Sequence, residues 1–539
     1  MKDRPSVAYF CMEYGLAEEM KIYAGGLGIL AGDILKAARQ YDYPIRGIGI
    51  LWRQGYTKQT INEKGRPVDS YPRNDYIYDY LEDTGIKVSV TIREEDVSCK
   101  VWKLDKYGNA PLYLLDTNLE ENSNKWITGQ LYGWFEEERI AQEIVLGIGG
   151  VKALRKLDFK PDIYHFNEGH AVLAGTELIR EKIEAGLGFE DAYNKTREEI
   201  VFTTHTPVEQ GNEEHGFRTM KYMKAFNGLS QSEMKRIGGE PFNMTATGLR
   251  LAKAANGVSQ LHRETAREMW DHVDESPEIQ GITNGIHRDT WVDPEISEAD
   301  EKEEIWTRHM QLKRDLIDYV EDKSGVRLDE DKMIIGFARR AAPYKRADLI
   351  FSDEEKISPY LESGDIQIVF SGKAHPLDDT GKKIIRKLVE KTEEYPESVV
   401  FLEDYGIEIG RKLTRGSDVW LNNPRKPLEA SGTSGMKAAM NGVLNVSILD
   451  GWWPEACEHG VNGWQFGDGY EGEDQDRHDR EALYRVLLDE VVPTYYDERG
   501  KWKEMSKDSI ESTYNEFSAE SMLKSYYENM YETTRREDE

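Results

Sequence analysis

Met333-Ile334-Ile335-Gly336-Phe337 runs almost directly into Arg339-Arg340-Ala341-Ala342-Pro343-Tyr344-Lys345-Arg346, so a short apolar run ends in a cluster of cations. An apolar run of this length, bounded by polar residues, reads as a buried strand rather than a helix. Working outward, further strands are expected at Ile366 to Phe370, Val399 to Leu402, Val419 to Asn422 and Leu444 to Leu449, with helices between them. Toward the amino terminus the same reading gives Val7 to Met12, Ile45 to Leu51, Tyr113 to Leu115, Ile163 to Phe166 and Ile200 to Thr204. Such runs, alternating with longer amphipathic stretches, predict a largely parallel α/β architecture. In doubly wound sheets ligands bind beyond the carboxyl ends of the strands, so the polar residues there are the first place to look for chemistry.

The 539 residues exceed one ordinary hydrophobic core, and at least two large domains are expected. A highly charged stretch, Asp293 to Lys332, separates the two strand series. The expected division is residues 1–310, residues 311–500 and a helical segment 501–539 placed to cross back to the first domain. Within that tail, Glu504 to Glu539 is expected to be a packing helix, with Met522, Tyr526, Met530 and Tyr531 near helical spacing.

The chain carries a net charge of −30, which disfavours nucleic acid and anionic membrane surfaces as partners, because phosphate groups need clustered cations. The acid excess accords with work in concentrated salt and equally with an ordinary acidic cytosolic enzyme. No segment is long and apolar enough to span a bilayer, and the start Met1-Lys2-Asp3-Arg4-Pro5-Ser6 leads into no apolar signal core, so a cytoplasmic protein is expected. Cys11, Cys99 and Cys457 are widely separated and odd in number, which gives neither a disulfide framework nor a CxxC metal site. The spacing of His165, His170, His205 and His215 lacks a zinc signature, and no metal is expected.

Between the expected strand Val419 to Asn422 and an expected helix lies Glu429-Ala430-Ser431-Gly432-Thr433-Ser434-Gly435-Met436-Lys437. Small residues before a helix let backbone N–H groups approach an anion. Thr433 and Lys437 share a helical face, roughly 6 Å apart along the axis, which suits a ligand bearing both a phosphate and an aldehyde. A lysine amine is the residue type that condenses with such a cofactor. From the residues alone, a small-residue turn capping a helix, with Lys437 in solvent, is the simpler reading. The cations Arg339, Arg340, Lys345 and Arg346 can hold two phosphate groups close together or form a solvated basic loop. Ala24-Gly25-Gly26-Leu27-Gly28 is a glycine turn opening a helix, which a strand-to-helix connection would favour without any ligand. Asn167-Glu168-Gly169-His170, Thr203-Thr204-His205-Thr206-Pro207 and Thr283-Asn284-Gly285-Ile286 are polar segments suited to sugar hydroxyls.

The nonapeptide, continued through Asn441-Gly442 and Asp450-Gly451, resembles the pyridoxal-phosphate segment of the α-glucan (glycogen and maltodextrin) phosphorylase family, and the short bacterial and archaeal type is the nearer comparison. The resemblance implies two Rossmann-like domains facing a central cleft, the GT-B architecture, and a homodimer. It implies reversible phosphorolysis of an α-1,4-glucan by inorganic phosphate, giving glucose 1-phosphate with retention and requiring pyridoxal 5′-phosphate. By that match Lys437 holds the cofactor, Thr433 and the Ser434 backbone contact its phosphate, Arg339 and Lys345 lie near it, and Tyr405 borders it. Arg340 and Lys345 face the substrate phosphate with the backbone of Gly26 beside Leu27; Arg340, Lys345 and Lys437 form the catalytic set. Glu429, Ser431, Gly432, His170, His205, through its carbonyl, and Asn284 contact sugar. The pattern departs at Ser434-Gly435, where longer members have Gly-Asn, and at Gly406, where they have an arginine near the cofactor. The chain is shorter than the animal enzymes, and control by phosphorylation or nucleotide is not carried over. A nucleotide-sugar-dependent, glucan synthase-like glucosyltransferase shares the glycine loop, and a non-catalytic glucan-binding protein is the third reading.

Overall fold

The computed structural model describes residues 4–208 and 211–532. The expected reading of Met1 to Asp3 and of the tail beyond residue 532 lies outside the described residues. The chain divides into two compact units: Met1–Tyr56, Tyr71–Thr283 and Ala519–Glu539 form one, and Thr57–Ser70 with Asn284–Ser518 form the other.

The first unit is built on a nine-stranded sheet. Its spatial order is Ile279–Gly281, Ala254–Gly257, Ile200–Thr203, Ile163–Asn167, Val7–Phe10, Ile45–Ile50, Leu112–Asp116, Glu95–Leu104, Glu82–Ile92. All pairings are parallel except the two made by Glu95–Leu104. The parallel strands are apolar along their length because helices cover both faces, as in Val7–Phe10, where every residue is buried. The hairpin Glu82–Ile92/Glu95–Leu104 was not among the expected strands. Buried Val88, Val90 and Ile92 alternate with exposed residues there, the signature of a half-solvated antiparallel strand rather than of a continuous apolar run.

In the second unit six parallel strands lie in the order Val399–Leu402, Ile366–Ser371, Met333–Ala338, Val419–Asn422, Leu444–Ile448, Gly463–Phe466. Counted along the chain this is the doubly wound order 3-2-1-4-5-6, and the winding reverses between Met333–Ala338 and Val419–Asn422. The residues that follow those two strands therefore flank the switch-point crevice of this sheet.

The units change over between Thr283 and Asn284, not at the expected 310/311. The helix Lys302–Ser324 explains the difference: its Leu316, Ile317 and Val320 pack with Ile409, Leu413 and Trp420. Deep in that contact Asp418 accepts from Lys313 Nζ at 2.7 Å, His309 Nε2 at 3.0 Å and the Ile334 amide at 2.7 Å. The short hairpin Lys58–Ile61/Pro67–Ser70 joins the second unit through Gln59, whose amide exchanges bonds of 2.9 and 3.2 Å with the Ala374 backbone. The expected single tail helix is two: Arg499–Thr513 belongs to the second unit, whereas Ala519–Tyr526 and the turn through Tyr531 belong to the first. There Tyr531 Oη lies 2.5 Å from His165 Nδ1, and Thr203 Oγ1 lies 2.7 Å from His165 Nε2.

Burial alone would raise the Asp418 pKa, but the adjoining Lys313 ammonium outweighs it and holds the carboxyl at about 2. Because the folded value lies below the unfolded one, the stabilisation is complete above about pH 4 and is lost as the pH falls toward 2. Asp418→Ala should strand the Lys313 charge and cost about 3–5 kcal/mol. Urea unfolding midpoints at neutral pH check this, and an unchanged midpoint would mean that the charge cluster stabilises nothing.

Candidate active site

In the second unit the strand Met333–Ala338 delivers Arg339 and Arg340 to the switch point. The Arg339 amide donates to the Ser371 carbonyl at 3.2 Å, and the Ala341 amide to Lys373 at 2.9 Å, so the neighbouring strand fixes the path of the basic segment. Gly372 is needed there, since a Cβ would lie 2.2 Å from the Arg339 carbonyl oxygen. Arg339 and Lys345 converge on one acceptor, Glu429 Oε2, with Arg339 Nη1 at 3.1 Å and Lys345 Nζ in direct contact. Arg340 is exposed. Arg346, the fourth cation of the segment, is a structural residue: it bonds the Asn423 carbonyl at 2.9 Å, the Pro424 carbonyl at 2.6 Å and the carboxylates of Asp476 and Asp479. Arg346 is therefore set apart from Arg339 and Lys345, which share Glu429.

Glu429 is held from behind by a residue absent from the expected site. Asp450 accepts from the Glu429 amide at 2.9 Å and the Gly451 amide at 2.8 Å. The Trp452 amide donates to Ser431 at 2.9 Å, and a Cβ on Gly451 would lie 2.3 Å from the Ser431 carbonyl oxygen. These contacts stitch the two loops together. Burial pushes the Glu429 carboxyl up, but the Lys345 and Arg339 cations overcome it and leave the pKa below the ordinary value. Asp450 has amides but no cation in contact among the described residues; burial, with repulsion from Glu429, lifts its pKa to about 7. Two neighbouring carboxyl groups are thus driven apart by their surroundings.

The helix Thr433–Ala439 begins after Gly432, whose φ of 87° suits glycine. At Gly435 a Cβ would lie 2.7 Å from Asn445 Oδ1 and 2.9 Å from Trp452 Nε1. Asn445 and Trp452 therefore take the room that a larger residue at 435 would need. Lys437 is buried, with Nζ 3.4 Å from the Trp291 ring centroid, so the solvent-exposed reading of this lysine is overturned. Asn441 ties the pair: its Nδ2 donates to the Lys437 carbonyl at 2.7 Å and the Trp291 carbonyl at 3.2 Å, and its Oδ1 accepts from the Asp293 amide at 2.9 Å. Ser431 Oγ and Asn284 Oδ1 are buried without hydrogen-bond partners among the described residues, which leaves both able to bind a ligand. Tyr405 packs at the edge of the cluster formed by Leu413 and Trp420, with its hydroxyl close to Gly410.

Gly26, Leu27, His170 and His205 lie in the first unit. Gly26 opens the helix Gly26–Gln40, and a Cβ on it would meet nothing within 4 Å, so the backbone there can be approached closely. Leu27 packs partly against the core. The loop is anchored by Glu13, which accepts from the Ala24 amide at 2.6 Å, the Gly25 amide at 3.1 Å and the Tyr132 hydroxyl at 2.5 Å. Neither Glu13 nor Tyr132 was foreseen. The single signal available was a carboxylate just beyond the strand Val7–Phe10, at its carboxyl end.

Glu168, at a backbone φ of 77°, accepts from the His205 amide at 2.8 Å and the Thr206 hydroxyl at 3.3 Å. Burial raises its pKa to about 7. His205 Nε2 lies 2.5 Å from Asn167 Oδ1, and burial lowers this imidazole to about 3. His170 is half-buried, with Nδ1 unpartnered among the described residues; burial and the Arg139 guanidinium hold its pKa at about 4. Both imidazoles are neutral at physiological pH, His205 bonded to Asn167 and His170 with its Nδ1 open to a ligand.

Among the described residues one group has metal-ligand spacing: Glu143, Glu213 and His215. Its charges are balanced internally, because Arg139 grips Glu213 with two bonds of 2.8 and 2.6 Å and His215 Nε2 lies 2.9 Å from Glu143.

Residues 292–485 match the family model described as carbohydrate phosphorylase. The chain is 38% identical to the maltodextrin phosphorylase of Thermococcus litoralis, in an alignment covering 97% of this chain and 70% of that protein. It is 38% identical to the glycogen phosphorylase of Aquifex aeolicus, covering 99% of this chain and 87% of the relative. The glycogen phosphorylase of Mycobacterium tuberculosis is 36% identical, with 97% and 70% covered. With this likeness over nearly its whole length, the chain belongs to the carbohydrate phosphorylase family.

Proposed function

We propose that this protein is an α-1,4-glucan phosphorylase built on two Rossmann-like domains: it transfers the terminal glucosyl unit of a glucan to inorganic phosphate, reversibly and with retention. The observation that carries this reading is the convergence of Arg339 and Lys345 on Glu429 at the switch point, one loop from the buried Lys437. In this reading the substrate phosphate is held by Arg340, Lys345 and the backbone at Gly26. The glucosyl unit is held by Glu429, Ser431, Gly432, Asn284, His170 and the His205 carbonyl, with Leu27 beside it.

The residues also suit pyridoxal 5′-phosphate. A buried amine at Lys437, a hydroxyl at Thr433 one turn earlier, the Ser434 backbone, Arg339 with Lys345, and the Tyr405 ring form a donor set for an aldehyde ring bearing a phosphate. Held there, the cofactor would supply a second phosphate group able to act as proton donor and acceptor. The substrate phosphate gives its proton to the glycosidic oxygen as the bond from that oxygen to the anomeric carbon breaks. A phosphate oxygen then bonds the anomeric carbon from the same face, which gives glucose 1-phosphate and a glucan one unit shorter. Arg340 and Lys345 stabilise the clustered oxyanions, and exclusion of water from the site keeps hydrolysis from competing. Glu429 Oε2 accepts both cations, yet a carboxylate has about four acceptor positions, so the same group can also take a sugar hydroxyl. Glu429 and Glu168 are not the acid and nucleophile of a glycosidase; that division of labour belongs here to phosphate.

Borohydride reduction of protein reconstituted with pyridoxal phosphate should leave a pyridoxyl group on Lys437, mapped by peptide mass spectrometry, and none in Lys437→Ala. A wild-type protein that shows no adduct and accepts a nucleotide-glucose donor would be the glucan synthase-like transferase instead. Arg340→Ala should lower kcat/KM for phosphate by about 100-fold or more, with an unchanged unfolding midpoint, because it removes one preorganised charge from the developing oxyanion. Near-normal phosphorolysis in that variant removes Arg340 from the mechanism.

A further inference from the structure

In the strand Lys58–Ile61 one residue alone is fully buried, and it is polar: Gln59, 3% exposed. A hairpin attached for stability alone would bury apolar groups. On this one Val68 is 43% exposed, and Ile61 is only partly covered, against Ala341, Ala374 and Ile385. A buried side-chain amide costs free energy unless its polar atoms are bonded; once bonded, it fixes direction as apolar contact does not. Both polar atoms of Gln59 are bonded. Oε1 accepts from the Ala374 amide at 2.9 Å, and Nε2 donates to the Ala374 carbonyl at 3.2 Å and to Asp69 Oδ1 at 2.8 Å. Ala374 is thus gripped through its N–H and its C=O together.

The partners of Gln59 are fixed in turn. Asp69 Oδ1 also accepts from the Thr57 hydroxyl at 2.7 Å, and Asp69 Oδ2 pairs with Lys382 Nζ at 2.6 Å. Lys382 lies in the helix Asp379–Glu394 and donates further to the Pro376 carbonyl at 2.6 Å, which ties that helix to the hairpin as well. Lys373, the neighbour of Ala374, donates from Nζ to the Thr57 carbonyl at 3.1 Å and pairs with Asp404 at 2.6 Å. The Asp404 amide closes the ring by donating to the Gln59 carbonyl at 3.2 Å. The loop after the strand Ile366–Ser371 therefore takes its position from the hairpin.

The same loop carries the basic segment. The Arg339 amide donates to the Ser371 carbonyl and the Ala341 amide to the Lys373 carbonyl, so Arg340 is held between two pinned residues. Gly381 makes room for the Ala341 carbonyl, where a Cβ would press on its oxygen. From Gln59 to Arg340 the path runs through Ala374, Lys373 and Ala341, and each step is a hydrogen bond or a peptide link. A displacement of about 1 Å in a binding group can cost about 100-fold in rate. We propose that Gln59 is a positioning residue: through Ala374 and Lys373 it sets where Arg339 and Arg340 stand, and so how well phosphate is held. This rests on the phosphorylase reading and deepens it, because it gives control of the anion to a hairpin distant in sequence from the cations themselves.

The test compares the holoenzyme with its Gln59→Ala and Gln59→Glu variants. Phosphorolysis measures use of phosphate and of glucan separately, and amide hydrogen exchange with mass spectrometry follows the peptide that carries Arg339 to Ala341. For Gln59→Ala the expected result is a kcat/KM for phosphate lowered about tenfold, with the KM for glucan unchanged. Exchange in that peptide should be about tenfold faster. In Gln59→Glu an ionised carboxylate faces Asp69 and the Ala374 carbonyl, whereas its protonated form restores one donor and one acceptor. Its deficit toward phosphate should therefore shrink, relative to wild type, as the pH is lowered toward about 5.5, while that of Gln59→Ala stays constant. Unchanged exchange and unchanged use of phosphate would overturn the proposal. So would equal losses toward phosphate and glucan that ignore pH in both variants, which would make Gln59 a stabilising residue and nothing more. A wild-type protein that phosphorolyses nothing, while its variants still exchange faster, would sink the phosphorylase reading and leave the tie between hairpin and basic segment standing.

Discussion

One carboxylate, Glu429, keeps two cations together in a buried place. Arg339 and Lys345 repel each other, and neither could remain out of water without an opposite charge in contact. The three groups come from loops that follow different strands of the second sheet, and the reversal of winding between Met333–Ala338 and Val419–Asn422 brings those loops side by side. Asp450 adds the counterpart on the next strand, holding the Glu429 amide so that its side chain points at the cations. If that carboxylate were lost, the basic segment, the glycine-bearing loop and the loop after Leu444–Ile448 would lose their common tie.

The first unit follows the same logic with a different partner. Glu13 is buried and gathers the glycine-loop amides and the Tyr132 hydroxyl instead of a cation, which fixes the loop without neutralising anything nearby. His205 and His170, kept neutral by burial, add no charge to this part of the first unit. The buried cations Arg339 and Lys345 lie instead on the second unit's basic segment.

Strand reading succeeded where burial on both faces leaves an uninterrupted apolar run. Val399–Leu402 and Val419–Asn422 have the expected ends, and the other expected strands begin or end within a residue or two of the observed ones. It failed at Ala254–Gly257, Ala-Ala-Asn-Gly in sequence, whose small and polar residues carry no strand signal although all four are buried. The hairpin Glu82–Ile92/Glu95–Leu104 was missed because its signal is alternation, not continuity. At the site, the basic segment and the nonapeptide were legible, but the jobs of the cations were not. Arg346 looks like its neighbours in sequence, and only its contacts with Asn423, Pro424, Asp476 and Asp479 reveal a structural residue.

The sequence by itself determined the α/β class, the approximate strand positions and the residues that carry the phosphorylase resemblance, because each depends on patterns only a few residues long. The tertiary structure alone decided that Lys437 lies against Trp291, that Glu429 is shared by Arg339 and Lys345, and that Glu13 and Asp450 hold the loops around them. Those pairings join residues distant in the chain, and they exist only because packing removes the groups from water, where an amine, a carboxylate or a guanidinium would otherwise be satisfied by solvent.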